Sequence, residues 1–177
     1  SPGPNPYGTP PIFTAGFGPK MTEVAGEVAD GFLVHPVNSR RSLQELTLPA
    51  LAEGATRSGR SLDGFEVVCV TIVVTGRTEE EMTRSREAVR RQLAFYGTTP
   101  AYQPVFALHG HGDLRPELAR LAREDRWDDM ATLIPDDLLE AIAVCGEPES
   151  IAGLVRDRLE GISDSVKKDR YAFFAGF

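Results

Sequence analysis

PIFTAGFGPKMTEVAGEVADGFLVHP, residues Pro11 to Pro36, reads as strand, glycine turn, helix and second strand. Ile12-Phe13-Thr14-Ala15 is a short apolar run suited to a buried strand. Gly16 and Gly18 break it, because glycine tolerates positive φ, and Pro19 presets the φ of a first helical position. From Met21 the apolar residues Met21, Val24, Ala25, Val28 and Ala29 recur at helical spacing, which predicts an amphipathic helix buried along that stripe. Asp30-Gly31 closes the helix and Phe32-Leu33-Val34 opens a second buried strand. A helical crossover of this kind joins parallel strands and is right-handed. Its turn leaves unpaired backbone N–H groups at a helix N-terminus just beyond a strand's carboxyl end, where α/β proteins hold phosphates. A lone G-x-G serves equally well as a tight turn that needs only flexible glycines.

The rest of the chain repeats the alternation. Ser39 or Ser42 can cap a helix with the stripe Leu43, Leu46, Leu48, Leu51 and Ala55, and Pro49 predicts a kink or a split into two short helices. Phe65–Thr75 is a nearly continuous β-branched run, as a parallel strand buried on both faces requires. Thr78 and Glu81 form a T-x-x-E capping box for a charged helix reaching about Tyr96, with Met82, Val89, Leu93 and Tyr96 inside and its arginines solvated. Gly97–Asp113 reads as an aromatic, proline-containing loop, of a length that is often functional. Short helices follow at about 114–124, 127–133 and 136–144, with Trp127, Met130 and Leu133 as core. Cys145-Gly146-Glu147-Pro148 then ends one helix and starts another, whose stripe is Ile151, Leu154, Val155 and Leu159. The tail to Phe177 holds a candidate last strand. The order β-α-β-α-β-helices-α-β places the chain in the α/β class with parallel strands.

At 177 residues the chain suits one domain, here residues 11–177 behind a proline-rich linker over 1–10. A net charge of −7 argues against a nucleic-acid partner, and no window approaches a membrane span. Cys69 and Cys145 stand far apart, which suits a reducing cytoplasm better than a disulfide framework, and SPGPNPYG has no signal-peptide pattern.

Three segments in order, AGFGPKMTEVAGEVADGFLVHP, VVCVTIVV and CGEPESIAGLVRDRL, resemble the luciferase-like monooxygenase superfamily. Within it they are most similar to the oxidoreductases that use the deazaflavin coenzyme F420, and AFYGTTPAY with FALHG looks like a feature of that branch. The resemblance runs from Pro10 to about Gly161. It implies a TIM (β/α)8 barrel of about twice this length, of which this chain supplies the second half, strands five to eight. It also implies F420 as cofactor, with FMN as the alternative, its phosphate resting on Ala15, Gly16, Phe17, Gly18, Lys20 and Met21. The groups that hold the ring belong to strands one to four, so no catalytic residue carries over.

The function expected on that basis is the carboxyl-terminal part of a deazaflavin- or flavin-dependent oxidoreductase or monooxygenase. It transfers hydride between the cofactor and a small organic substrate, and the chain alone is expected to be inactive. Its partners would be that substrate and either a second copy or the missing amino-terminal half of the barrel. Two other readings stay open: an inactive half-barrel that self-associates, and a small α/β module for a phosphate-bearing ligand.

Individual residues divide in the same way. His35, at a strand's carboxyl end, is a substrate or acid–base candidate as well as a loop-capping histidine. Arg40 and Arg41 can reach an anion near it or simply start a solvated helix. Tyr96, Tyr102 and Phe106 can pack beneath a loop or wall a cofactor. His109-Gly110-His111 lacks a cysteine or carboxylate at finger-like spacing, so no metal is expected.

Overall fold

In the computed structural model, residues 7–162 are described in full and Tyr171–Ala175 by their backbone. Five parallel strands form the sheet: β1 (Phe13–Gly16), β2 (Gly31–Val34), β3 (Glu66–Val74), β4 (Val144–Cys145) and β5 (Tyr171–Ala175). Their order is β1-β2-β3-β4, with β5 beside β3, so Val73 pairs with both Val144 and Ala175. The predicted opening unit is present as β1, α1 (Pro19–Val28) and β2. Cys145, read from sequence as a helix end, instead pairs in β4 with Val74. The expected last strand is β5; residues 163–170 and 176–177, also part of the predicted tail, lie outside the described residues, as does most of the predicted linker.

Register sorts the side chains onto two faces. Phe32 pairs with Val67 and Val34 with Cys69. All four are buried with Ala25, Ala29, Leu43 and Leu51, beneath α1 and the segment after β2. The alternate row, Ala15, Leu33 and Val68, points the other way. Ala15 and Leu33 on that face are exposed. Further along β3 the same parity brings Ile72 and Val74, both fully buried under α4 (Glu79–Gly97), α6 (Arg115–Arg123) and α8 (Asp136–Ile142). The second face is therefore roofed at the strands' carboxyl ends and open toward their starts. α9 (Pro148–Leu159) covers Val73 and Val144 through Ile151 and Val155.

The stripe of α1 is corrected. Ala25 and, just past the helix end, Ala29 are buried as predicted, but Met21, Val24 and Val28 are 50%, 43% and 65% exposed, and Thr22 and Gly26 take their place on the buried face. The reason is a backbone-to-backbone approach to α3 (Leu48–Arg57). A Cβ on Gly26 would stand 2.2 Å from the Leu51 carbonyl oxygen, and one on Gly54 1.8 Å from that of Glu23. Small residues set the buried face of α1, and the larger ones are left outside.

The segment before α3 splits as Pro49 predicts, in a form the sequence did not specify. α2 (Arg40–Ser42) runs into a π-helical turn, Leu43–Thr47, and α3 begins with Pro49 in its first turn, where its missing N–H is not needed. Ser39 and Ser42 cap each other reciprocally at the start. The Thr78 hydroxyl accepts from the Glu81 amide, while the Glu81 carboxylate reaches the Arg77 amide rather than completing the box on Thr78.

Three other expectations change. Gly97–Asp113 contains a 3-10 turn, Pro100–Tyr102, and α5 (Gln103–Leu108), nucleated by two prolines at helix starts. Trp127, in α7 (Trp127–Thr132), is 46% exposed and stacks beside Phe95, with Met130 alone of its predicted trio fully buried. Arg86 and Arg90, read as solvated, hold Asp136, and Arg86 also holds Glu140, which ties α4 to α8.

Candidate functional site

The site is built where β1 and β2 end. Gly16 closes β1 and must lack a side chain, since a Cβ there would lie 2.9 Å from the Cβ of Met21. Gly18 stands at φ 83°, a conformation that glycine alone adopts without strain, and a Cβ on it would meet nothing within 4 Å. That open space lies at the N-terminus of α1. Pro19 has no N–H, no side chain caps the helix, and the Thr22 amide turns back to the Gly18 carbonyl at 3.2 Å. The Lys20 and Met21 amides are thus the donors left to a ligand at the positive end of the helix. Lys20 is exposed and engages no partner among the described residues. Met21 offers its amide, and its half-exposed side chain lies over Gly16.

Phe17 links this turn to the histidine. Its ring meets His35 edge-on at 5.6 Å between centroids and Tyr102 at 4.5 Å. His35 in turn lies 5.1 Å from Tyr96 and 4.7 Å from Tyr102. These four rings form a half-buried box at the strands' carboxyl ends. The structure therefore brings Gly16, Phe17, Gly18, Lys20, Met21 and His35 together. Ala15 sits one residue earlier, on the open sheet face in register with Leu33.

The loop after β2 fixes the imidazole. The Val37 amide donates to His35 Nδ1 at 3.2 Å, and Nε2 lies 3.1 Å from the Tyr102 hydroxyl. Asn38, 2% exposed, holds the loop in place: its side-chain amide donates to the carbonyls of His35 at 2.7 Å and Val70 at 2.9 Å. Partial burial lowers the pKa of His35 and raises that of Tyr102, so both side chains are neutral near pH 7.

Next to the box lies a cavity of about 330 Å³, within the range of small-molecule sites. Gly16, Phe17, Gly18, His35, Asn38 and residues of the π-helical turn line it. Asn38 was invisible as a site residue in the sequence, because nothing local signals a side chain that bonds β3 across 32 positions. The partnership of His35 with Tyr102, 67 residues away, was equally hidden.

Other candidates go elsewhere. Arg40 donates to the carbonyls of Asp157 and Arg158, and Arg41 engages Glu45 and the Leu108 carbonyl. Phe106 is fully buried core. His109 bonds Ser39 at 2.9 Å and His111 bonds Asp137 at 2.9 Å, so the two imidazoles serve separate structural contacts.

Comparison with known proteins bears on the fold and the family. An uncharacterized protein of Mycobacterium tuberculosis is 49% identical over 166 residues, covering 94% of this chain and 49% of that protein. The 5,10-methylenetetrahydromethanopterin reductase of Methanopyrus kandleri is 29% identical over 160 residues, 88% of this chain and 44% of the reductase. The solved structure of the coenzyme F420-dependent tetrahydromethanopterin reductase from M. kandleri superposes with a TM-score of 0.69 at 23% identity, over 92% of this chain and 44% of that one. The chain thus spans about half the length of these relatives, and its parallel β/α units are those of the reductase's barrel fold. The profile of the luciferase-like monooxygenases matches residues 1–165, nearly the whole described chain. By that match the chain belongs to the luciferase-like monooxygenase family.

Proposed function

We propose that this chain is the phosphate-holding part of an F420-dependent oxidoreductase that acts on a small organic molecule. The observation that carries the reading is the Gly18 turn: positive φ, open space in front and two uncapped amides, followed by an exposed lysine with no partner among the described residues. A phosphate fits that donor set, and F420 bears one. The F420-dependent reductase that shares the fold supports F420 over FMN.

Reduced F420 supplies a hydride to an electrophilic carbon of the acceptor. The residues of this chain bind and orient. The Lys20 and Met21 amides take the phosphate oxygens, the Lys20 ammonium adds charge attraction, and Phe17 walls the turn from the side of the box. The adjoining cavity, with apolar walls from Phe32, Val34 and Val105, is the place for the acceptor.

Titration of the chain with oxidised F420, FMN and a deazaflavin lacking the phosphate tests this. F420 should bind best, and removal of the phosphate should weaken binding by about tenfold or more, the worth of one or two charge-assisted hydrogen bonds. Equal affinity for the phosphate-free compound, or tighter binding of FMN, refutes it.

A second reading concerns partners. The exposed Ala15 and Leu33 on the open sheet face, with Met21, Val24 and Val28 on the outside of α1, give the chain apolar surface suited to another copy of itself. Light scattering should then show a dimer or larger species whose mass falls on dilution; a monomer at all concentrations removes this reading.

A further inference from the structure

Arg158, one residue before the end of α9, reaches from that helix to the loop that follows His35. Its Nη1 donates to the Ile142 carbonyl at the end of α8 at 2.6 Å, and its Nη2 to the Asn38 carbonyl at 2.5 Å. Arg40, two positions beyond Asn38, returns the contact. Its Nη1 donates to the carbonyls of Asp157 and Arg158 at 3.0 and 2.8 Å. Those carbonyls lie in the last turn of α9, where the helix has no amide left for them and a cation is favoured. Two arginines thus bolt α9 to the segment from Asn38 to Arg40.

Packing alone does not call for a guanidinium here. Burial lowers the Arg158 pKa to about 10, and no carboxylate pairs with the side chain among the described residues. Its Nε is covered and has no acceptor. A methionine of similar length would avoid both penalties. What it could not do is hold a main-chain carbonyl in a set place, as a rigid fork of donors does. The carbonyl held is that of Asn38, whose side chain in turn fixes the carbonyls of His35 and Val70. Val37 and Asn38 both line the cavity beside the aromatic box, and the Val37 amide donates to His35 Nδ1. Arg158 is therefore linked to the cavity wall by hydrogen bonds and a single loop.

We infer that Arg158 is a positioning residue of the candidate site. It acts through Asn38, setting where Val37 and Asn38 stand in the cavity wall and how deeply His35 is held. That the cavity takes a hydride acceptor rests on the F420 reading; the placement of its wall does not.

Hydrogen exchange and an NMR titration of the chain test this with Arg158→Met, which keeps the length of the side chain and loses its donors. Exchange of the Val37 and Asn38 amides should speed up about tenfold more than that of the buried Val89 in α4, the worth of a hydrogen bond from a charged group. The His35 pKa, lowered by burial, should rise toward 6.5 as the loosened loop admits water. Arg158→Lys still reaches one carbonyl and should fall between wild type and Arg158→Met in both measurements; it carries the test should the methionine variant not fold. Arg156→Met, at an exposed position two residues earlier, should match wild type. Equal acceleration of all three amides, or an unmoved His35 pKa in a folded variant, refutes the assignment. F420 titration of the wild-type chain keeps the two readings apart. No binding there tells against the cofactor and leaves the loop measurements standing, while binding with an unmoved His35 removes the inference and keeps the cofactor.

Discussion

Replacing Gly54 by alanine tests the packing that holds the site in place. The new methyl carbon would sit 1.8 Å from the Glu23 carbonyl oxygen and 3.0 Å from its Cα, where ordinary contact begins at 3.4 Å. The obstacle is the backbone of α1, which no rotamer change can move aside. The two helices must separate along a face that buries Ala25, Ala29, Leu51 and Ala55. Overpacking of this kind costs about 3 kcal/mol, because the contacts on either side of the insertion are loosened together. At this chain length that lowers Tm by about 6–12 °C. Gly153→Ala in α9 is the control: its Cβ meets nothing within 4 Å. Loss of glycine's backbone freedom should make that variant more stable by about 0.5–1 kcal/mol. Urea unfolding followed by circular dichroism measures both. A Gly54→Ala protein as stable as wild type would show that α1 and α3 do not touch backbone to backbone, and the account of why Met21, Val24 and Val28 lie outside would fall with it.

Three further outcomes are expected. Gly18→Ala meets no steric obstacle but is strained at φ 83°, so it should lose about 1–2 kcal/mol of stability and weaken F420 binding more than Gly153→Ala does; equal affinities refute the role of the turn. The pKa values of His35 and His109 are both lowered, chiefly by burial, from 6.5. Below that pH the unfolded chain takes up protons that the folded imidazoles resist, so their contribution to stability is full above 6.5 and is lost as pH falls through the folded values. The urea midpoint should accordingly drop between about pH 7.5 and pH 5.5, and a rise would refute the assignment. Cys69 is 5% exposed and burial pushes its thiol up to about 11, so iodoacetamide near pH 8 should spare it until denaturant is added. Rapid alkylation of the native protein would contradict its place in β3.

Much of the architecture was legible because local patterns dominate it. The β-branched run from Phe65 to Thr75 admitted a buried strand and little else, and the strand–turn–helix over Ile12–Val28 followed from glycines and a proline at fixed offsets. What sequence misread depended on partners far along the chain. Hydrophobic spacing put Met21, Val24 and Val28 inside, but burial went to whichever face let α3 come nearest, and two glycines 28 positions apart decided that. Trp127 failed for the converse reason: a large ring at helical spacing looks like core, yet Phe95 beside it is also exposed, and the pair stack at the surface. The turn of the site was visible at once, since backbone conformation writes itself into residue type. The aromatic box was not, because Phe17, His35, Tyr96 and Tyr102 converge from four separate segments.

That difference bears on how the site works. α1 is clamped through Gly26 to α3, and the Arg57 guanidinium bridges Glu23 and Glu27 on the same side at 3.0 and 2.8 Å. Exposed ion pairs contribute little, about 0–1 kcal/mol, so the clamp rests on the backbone contact. Its effect reaches the other end of the helix. A rigid α1 fixes the direction of the Lys20 and Met21 amides, and with them the position of Phe17 one step before Gly18. Phe17 then sets the wall against which Tyr102 and His35 stack. The glycines that let two helices touch and the glycines that shape the turn therefore serve one geometry. The contact that lets α1 and α3 touch is thus the strut that orients the phosphate donors, so Gly54→Ala should weaken F420 binding as well as lower stability.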